Sequence, residues 1–456
     1  MPADAVLPGY LALCLILGGA SAAGVVANAL LQLLAVVIIA WLAARAGAAV
    51  PGWRSLTICA GIAILIIAWQ LAPLPAGLVD SLPGRQAIAE GYRLLGVSSA
   101  WRQISLDSDA TIASALSLLP PFAVAAATLH ATKPSRDATV LLLLAMIVIE
   151  IGVGALQLTS GGNYYFYTIT NASAAVGFFA NVNHMATLLL VGLPYVAAMG
   201  TKRQSAERRR KREQPAFLAL ALAVVVCLGA LLNGSVAGLG LLLPAAVASY
   251  LVYRRGRGQP VKSWMVIALV IAGVILLALV LFGPLRGEFL DRKLTMSDPT
   301  TRRTSWTVTA LAAQRFFPLG TGLGSFVSVY QFHEELARVT NVFVNHAHND
   351  YLELLLELGA AAIILLILFL VWFARRAIAV WRSDETGYSY ARAGSVAVGI
   401  VMLHSIVDYP LRTAAIAAVF ALSLALMAAP EPVVRPSPRH SRRSTGRHFT
   451  AEEAAS

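Results

Sequence analysis

The segment 345–359 reads Asn-His-Ala-His-Asn-Asp-Tyr-Leu-Glu-Leu-Leu-Leu-Glu-Leu-Gly and gathers titratable groups just ahead of an apolar run. Of these, His348 is of the type best suited to take a proton from a hydroxyl near neutral pH, with His346 and Asn349 beside it. The same residues also read as a helix N-cap, in which Asn349 or Asp350 satisfies first-turn amides and the two histidines are wetted at an interface. His346 and His348 are two apart, a spacing that suits a strand better than one helix face, and a third ligand would have to come from afar. No metal site is therefore expected. Upstream, Arg302 and Arg303 precede Trp306 and the run Pro318-Leu319-Gly320-Thr321-Gly322-Leu323-Gly324-Ser325. Arginine beside a glycine-rich turn can grip phosphate while backbone amides approach closely. A solvated turn is the other reading, and no Gly-Lys-Ser/Thr follows as a nucleotide P-loop requires. Asn181, Asn183 and His184, Glu150, His404, and Asp408 with Arg412 are further polar groups in or beside apolar stretches. They could line one hydrated cavity or simply tie helices together.

These side chains belong to a chain of 456 residues that is 58% apolar and only 13% charged, with a mean hydropathy of +0.72. Soluble domains carry roughly 25% charge, so the composition excludes a cytosolic enzyme, a disordered chain and a conventional nucleic-acid binder, and no nucleic-acid partner is expected. A bilayer core needs roughly 20 apolar residues per helical span. On that measure the fold class is all-α polytopic membrane protein with about twelve transmembrane helices. The spans fall near 8–25, 27–45, 55–73, 110–130, 138–156, 178–200, 216–233, 236–253, 264–283, 349–373, 393–408 and 413–429. Cys14, Cys59 and Cys227 all lie inside these stretches and read as packing residues.

The net charge of +12 is topological in origin. The connection 201–215 carries seven Lys and Arg against Glu207 and Glu213, which puts it in the cytoplasm, and parity then assigns the other loops. Both termini fall on the cytoplasmic side, with a Pro/Arg/Ser-rich tail over 430–456 read as disordered. Two opposite-side segments are too long to be turns: 74–109, and a lid loop over 284–348 between the ninth and tenth spans, with apolar groups at helical spacing through 304–317.

Taken together and in order, these motifs resemble the O-antigen ligase / O-antigen polymerase family of bacterial envelope glycosyltransferases. The resemblance rests on Phe178-Phe179-Ala180-Asn181-Val182-Asn183-His184, on Arg302 to Trp306 with Pro318 to Gly322, and on His348-Asn349 separated by nine residues from Gly359. It implies a protein of the bacterial inner membrane, with its active site facing the periplasm. The implied reaction transfers a glycan from undecaprenyl diphosphate to an acceptor hydroxyl, such as one on lipid A–core, without cofactor, nucleotide sugar or metal. In that scheme His348 is the general base, Arg302, Arg303 and Arg412 are diphosphate-binding candidates, and Asn349, His346, Asn181, Asn183, His184, Trp306 and Asp408 support the donor and acceptor cavity. One departure stands out. Family ligases carry an Arg after Ser in the short turn between the seventh and eighth spans, where this chain reads Asn233-Gly234-Ser235-Val236-Ala237-Gly238. Polymerisation of lipid-linked repeat units is the alternative within the family. Outside it, a proton-coupled transporter or flippase would use the buried Glu150 and His404, and a non-catalytic assembly partner would tolerate loss of His348.

Overall fold

The computed structural model describes residues 3–21, 25–45, 53–201, 214–262, 264, 265, 267, 271, 299–335, 339 and 344–430. The basic connection 202–213, most of the expected ninth span, the first part of the expected lid and the tail beyond 430 lie outside the described residues.

Apolar side chains all round a helix suit a lipid solvent, because the helix satisfies its own backbone polar groups. The described chain is accordingly helical: α1 (Ala3–Leu17), α2 (Val25–Arg45), α3 (Trp53–Leu71), α4 (Ala76–Asp80), α5 (Gln86–Leu94), α6 (Ser108–Ser117), α7 (Leu119–His130), α8 (Lys133–Thr159), α9 (Val182–Met199), α10 (Gln214–Asn233), α11 (Val236–Gly256), α12 (Pro299–Phe316), α13 (Phe326–His333), α14 (Asp350–Leu358), α15 (Ala360–Arg382), α16 (Ser389–His404) and α17 (Ala414–Ala428). The only described sheet pairs β1 (Leu74–Pro75) antiparallel with β2 (Trp101–Arg102). Among the described residues, seven helices are long and apolar enough to cross a membrane, and α1, α3 and α17 contribute shorter apolar stretches.

Helix α9 is the axis of the bundle, with 83% of its span buried against 6% for α15, whose apolar surface is left outward. Around α9 a single core runs through α1, α2, α7, α8, α10, α11, α16 and α17. The chain enters and leaves this bundle so that the polar motifs collect at one end. The Gly18 carbonyl accepts from Ala415 N at 3.0 Å, joining the end of α1 to the start of α17. Asn233 Nδ2 donates to the Val182 carbonyl at 3.0 Å, joining the end of α10 to the start of α9. At the opposite end Arg136 donates to the Ala429 carbonyl, Arg392 to the Ser383 carbonyl, and Arg255 reaches the carbonyls of Trp381 and Ser383.

One expected span is broken. The stretch expected as 110–130 is a single span, Ser108–His130, in which Leu118 joins α6 to α7. The stretch expected as 349–373 divides at Gly359, so the apolar span proper is Ala360–Arg382 and α14 is a separate helix. The reason lies in α14 itself. Asp350, Glu353 and Glu357 share one face at i, i+3 and i+7 and are all buried, a face that cannot be offered to hydrocarbon. Gly359 makes the turn at φ 58°, ψ −131°, and a Cβ there would collide with the Pro318 carbonyl. The nine-residue spacing from Asn349 to Gly359 is thus the length of α14.

Candidate active site

Three elements converge at the polar end of the bundle. Asn181 caps α9, its Oδ1 accepting from Asn183 N at 2.9 Å, and His184 follows within the first turn, 2% exposed. The turn after α16 carries Asp408, fully buried, and Tyr409. The segment 344–349 then crosses in front, ending at Asn349, which caps α14 by accepting from Leu352 N at 3.0 Å. Asn349 therefore serves as the helix cap that was one of its two readings.

His348 Nδ1 stands 3.2 Å from Asp408 Oδ1. The histidine side chain is 25% exposed and the carboxylate 0%, so a buried acid orients a ring that is still reachable. His348 holds φ 54°, a left-handed conformation unusual for a residue with a side chain. Trp306 Nε1 donates to the His348 carbonyl at 3.3 Å, bracing that backbone from α12. Burial works against the Asp408 charge, but the His348 hydrogen bond and the nearby His348, His184 and Arg302 hold its carboxyl below the ordinary carboxylate range. Arg302 on α12 is thus an electrostatic neighbour of this centre.

Tyr409 is the hub. The His346, His348 and His184 rings lie 4.3, 4.9 and 5.0 Å from its ring, and its hydroxyl accepts from Asn181 Nδ2 and Asn345 Nδ2, each at 3.4 Å. His404, at the end of α16, has Nδ1 2.7 Å from Thr187 Oγ1. Asp408 Oδ2, both nitrogens of His184 and His404 Nε2 are buried without a hydrogen-bond partner. Buried polar atoms left unpaired are costly, so such a group marks a place where a ligand or solvent completes the site.

The second cluster adjoins the first. Arg412 faces Glu357 at 2.9 Å, Glu353 at 3.4 Å and Asp350 at 3.6 Å. Glu353 also holds the approach to the catalytic candidates, its Oε1 2.8 Å from His346 Nδ1 and its Oε2 accepting from Ala347 N at 2.8 Å. Asp350 Oδ2 accepts from Ser405 Oγ at 2.8 Å. Burial pushes the Asp350 carboxyl up to about 7 against the pull of Arg412. Arg412 is accordingly committed to protein carboxylates, which is a different post from the diphosphate contact expected of it. Asn183 is likewise engaged elsewhere, accepting from Ser235 Oγ at 2.7 Å, while Ser235 caps α11 by accepting from Gly238 N. Arg303 lies on the exposed side of α12.

The glycine-rich turn is no phosphate cradle, because its amides are spent. Thr321 N donates to the Leu356 carbonyl, Gly322 N to the Glu357 carbonyl and Leu323 N to Gln70 Oε1. The turn instead braces the break at Gly359. Gly320 (φ 74°) sits so close to the Glu357 carbonyl that a side chain would displace it. Among the described residues, no group of three or more His, Cys, Asp or Glu is placed to hold a metal ion.

Sequence reasoning missed Tyr409 as the hub and the acid face of α14 as a partner for Arg412. The second was signalled by the 350, 353, 357 spacing; the first had no signal, since a tyrosine beside a proline is unremarkable.

Helices of this length and composition, with a buried carboxylate and histidines gathered at one end, define a multi-pass membrane protein. Residues 218–367 match the family model for O-antigen ligase, which supports membership of the O-antigen ligase / O-antigen polymerase family. The matched stretch runs from α10 into α15 and includes Arg302, Trp306, His346, His348, Asn349 and Gly359. Comparison with curated proteins gives no match.

Proposed function

We propose that this protein is an inverting glycosyltransferase that moves a glycan from undecaprenyl diphosphate to an acceptor hydroxyl. The observation that carries the reading is the His348–Asp408 pair. Asp408 accepts from Nδ1–H of His348, which leaves Nε2 as the basic nitrogen. Nε2 takes the acceptor proton as the acceptor oxygen attacks the anomeric carbon, and the bond from that carbon to the diphosphate oxygen breaks in the same displacement. Arg302, with Arg303 further out on α12, stabilises the charge that develops on the leaving diphosphate. Arg412 positions His346 and α14 through Glu353 rather than touching the donor. The lipid of the donor lies along the outward apolar surface of the bundle.

Arg136, Arg255 and Arg392 stand at the end of the bundle opposite the histidines. The bias of basic residues toward the cytoplasm supports a site facing the periplasm of a bacterial inner membrane. One observation favours polymerisation of repeat units over ligation to lipid A–core: the turn after Ser235 lacks the Arg expected of the ligases, and Ser235 itself is engaged with Asn183.

The test is incubation of the full chain in lipid nanodiscs with a short undecaprenyl-diphosphate oligosaccharide, with and without lipid A–core, and analysis of products by mass and anomeric configuration. Inverted product with released undecaprenyl diphosphate is expected. Chain growth without added acceptor identifies a polymerase. An intact donor in every arm contradicts the reading.

A further inference from the structure

A cavity of about 490 Å³ opens between the 74–109 segment and helix α13. Its size falls in the range of roughly 300–1,000 Å³ typical of small-ligand sites. The β1–β2 pairing sets Trp101 and Arg102 beside Leu74 and Pro75, and α5 carries Tyr92 to the same wall. Arg102 is ion-paired with Asp80 at 2.9 Å and stacks over Tyr92 at 4.1 Å. Arg85 also lines the cavity, is 2% exposed, and donates from Nη2 to the carbonyls of Ile104 and Gly320. Its Nε and Nη1 find no acceptor, and neither does His333 Nε2 on the facing wall.

The lining therefore sets one carboxylate, Asp80, against two guanidiniums, Arg85 and Arg102, leaving one positive charge uncompensated. Asp107, which meets the lining residue Ser328, is occupied by Ala110 N and Ser328 Oγ. A buried cation without a counter-charge is costly, and an anion in the cavity would repair it. Trp101 and Phe332 line the cavity and are 59% and 61% exposed, so their faces are open to a flat ligand. Aromatic planes, the amide nitrogen of Gln103, whose Oε1 already accepts from Ser108 Oγ, and one unmet positive charge suit a sugar ring that bears an acidic group.

We propose that this cavity is a subsite for an acidic saccharide, holding through Arg85, Trp101 and Phe332 a part of the glycan remote from the reacting carbon. It rests on the transfer reading above for its place in a reaction. The packed cluster of Phe316, Phe326, Val329, Tyr330, Ala347 and Leu356 joins its wall, through Phe316 and Val329, to the segment that carries His348. Binding energy from such a remote site can be spent on orientation at the reacting centre.

The experiment is calorimetric titration of the full chain in nanodiscs with three probes: a uronic-acid tetrasaccharide, its carboxyl-reduced neutral counterpart, and inorganic phosphate. The acidic tetrasaccharide is expected to bind at least about tenfold tighter than either other probe. Trp101→Ala and Phe332→Ala, both at exposed positions, should weaken it at least about tenfold with an unchanged melting temperature. Arg85→Gln should erase the preference for the acid. His348→Ala should bind the tetrasaccharide as the wild type does. Equal affinity for the two tetrasaccharides, phosphate binding as tight as the acidic sugar, or full affinity in both aromatic variants would overturn the proposal. Trp101-dependent binding without any transfer activity leaves the subsite standing and removes the transfer reading. Transfer without such binding removes only the subsite.

Discussion

The Arg412 cluster and the His348 cluster share the carboxylate Glu353 yet differ in how much of their bonding capacity is used. Arg412 meets three carboxylates, and both oxygens of Glu353 and of Glu357 are engaged, so that only Asp350 Oδ1, 3.6 Å from Arg412, is buried there without a hydrogen bond. Around Tyr409, by contrast, Asp408 Oδ2, His404 Nε2 and both His184 nitrogens are buried and unpaired. Saturated ion pairs fix geometry, and unsaturated ones are left for something that binds. The difference separates a brace from the candidate reactive centre, although both are rich in charge and lie side by side. A charge count along 345–359 cannot make that distinction; only the partners can.

Breaking the brace should have the largest consequence for the fold. Arg412→Gln leaves three buried carboxylates without their cation, and removal of one partner from a buried pair typically costs about 3–5 kcal/mol. Expression and thermal melting in detergent should both fall sharply. A normal melting temperature would mean that Arg412 is not structural and return it to the donor.

Arg302→Ala sharpens the other side of the comparison. It should lower turnover by about two orders of magnitude while the melting temperature is kept, as expected when a donor to a developing charge is removed. Arg302→Lys should restore only part, because an ammonium cannot make the paired contact. Turnover measured alongside melting separates this residue from Arg412, and full activity in the alanine variant would move the role to Arg303.

Asn349→Ala tests whether the motif residue next to His348 is a cap. A lost N-cap costs about 1 kcal/mol, so a drop in melting of a few degrees with most activity retained is expected. An activity loss comparable to that of Arg302→Ala, without destabilisation, would place Asn349 in the reaction.

The smallest effect is a pH dependence within the brace. Asp350 is raised by burial from 3.8 to about 7, so the folded state binds its proton more tightly than the unfolded state does. Its contribution is fully present below about pH 4 and is lost as pH rises through about 7. Glu353 and Asp408 are shifted the other way, and their contributions are lost only on acidification below the ordinary carboxylate range. Asp350→Asn should therefore gain in melting temperature relative to the wild type between pH 5 and pH 8. A difference that stays constant with pH removes this assignment.

Hydropathy made most of the bundle legible, because a lipid-facing helix is apolar over its whole length. It failed at Gly359, where an apolar run conceals a break. At Gly359 the cause is the acid face of α14, which requires Arg412 more than fifty residues further along the chain. The site was legible as residue types. His348, His346, Asn181, His184 and Asp408 do gather around one point, and Arg302 is an electrostatic neighbour. The pairing of His348 with Asp408 spans sixty residues, and nothing local encodes it. The glycines of 320–324 misled for the opposite reason: their spacing suggested a ligand, whereas their positive φ angles allow close packing, of Gly320 on the backbone of α14 and of Gly322 and Gly324 on Ser105, Ala110 and Ser114.

The central claim is that His348, oriented by Asp408, moves the acceptor proton. It is tested most directly by single-turnover transfer from radiolabelled undecaprenyl-diphosphate oligosaccharide by His348→Ala in nanodiscs, with donor binding measured on the same sample. Retained donor binding, an unchanged melting temperature and a rate reduced by about 10²- to 10⁴-fold are predicted. Transfer at close to the wild-type rate would contradict the claim and leave His348 as a residue that only leads the chain into the cap at Asn349.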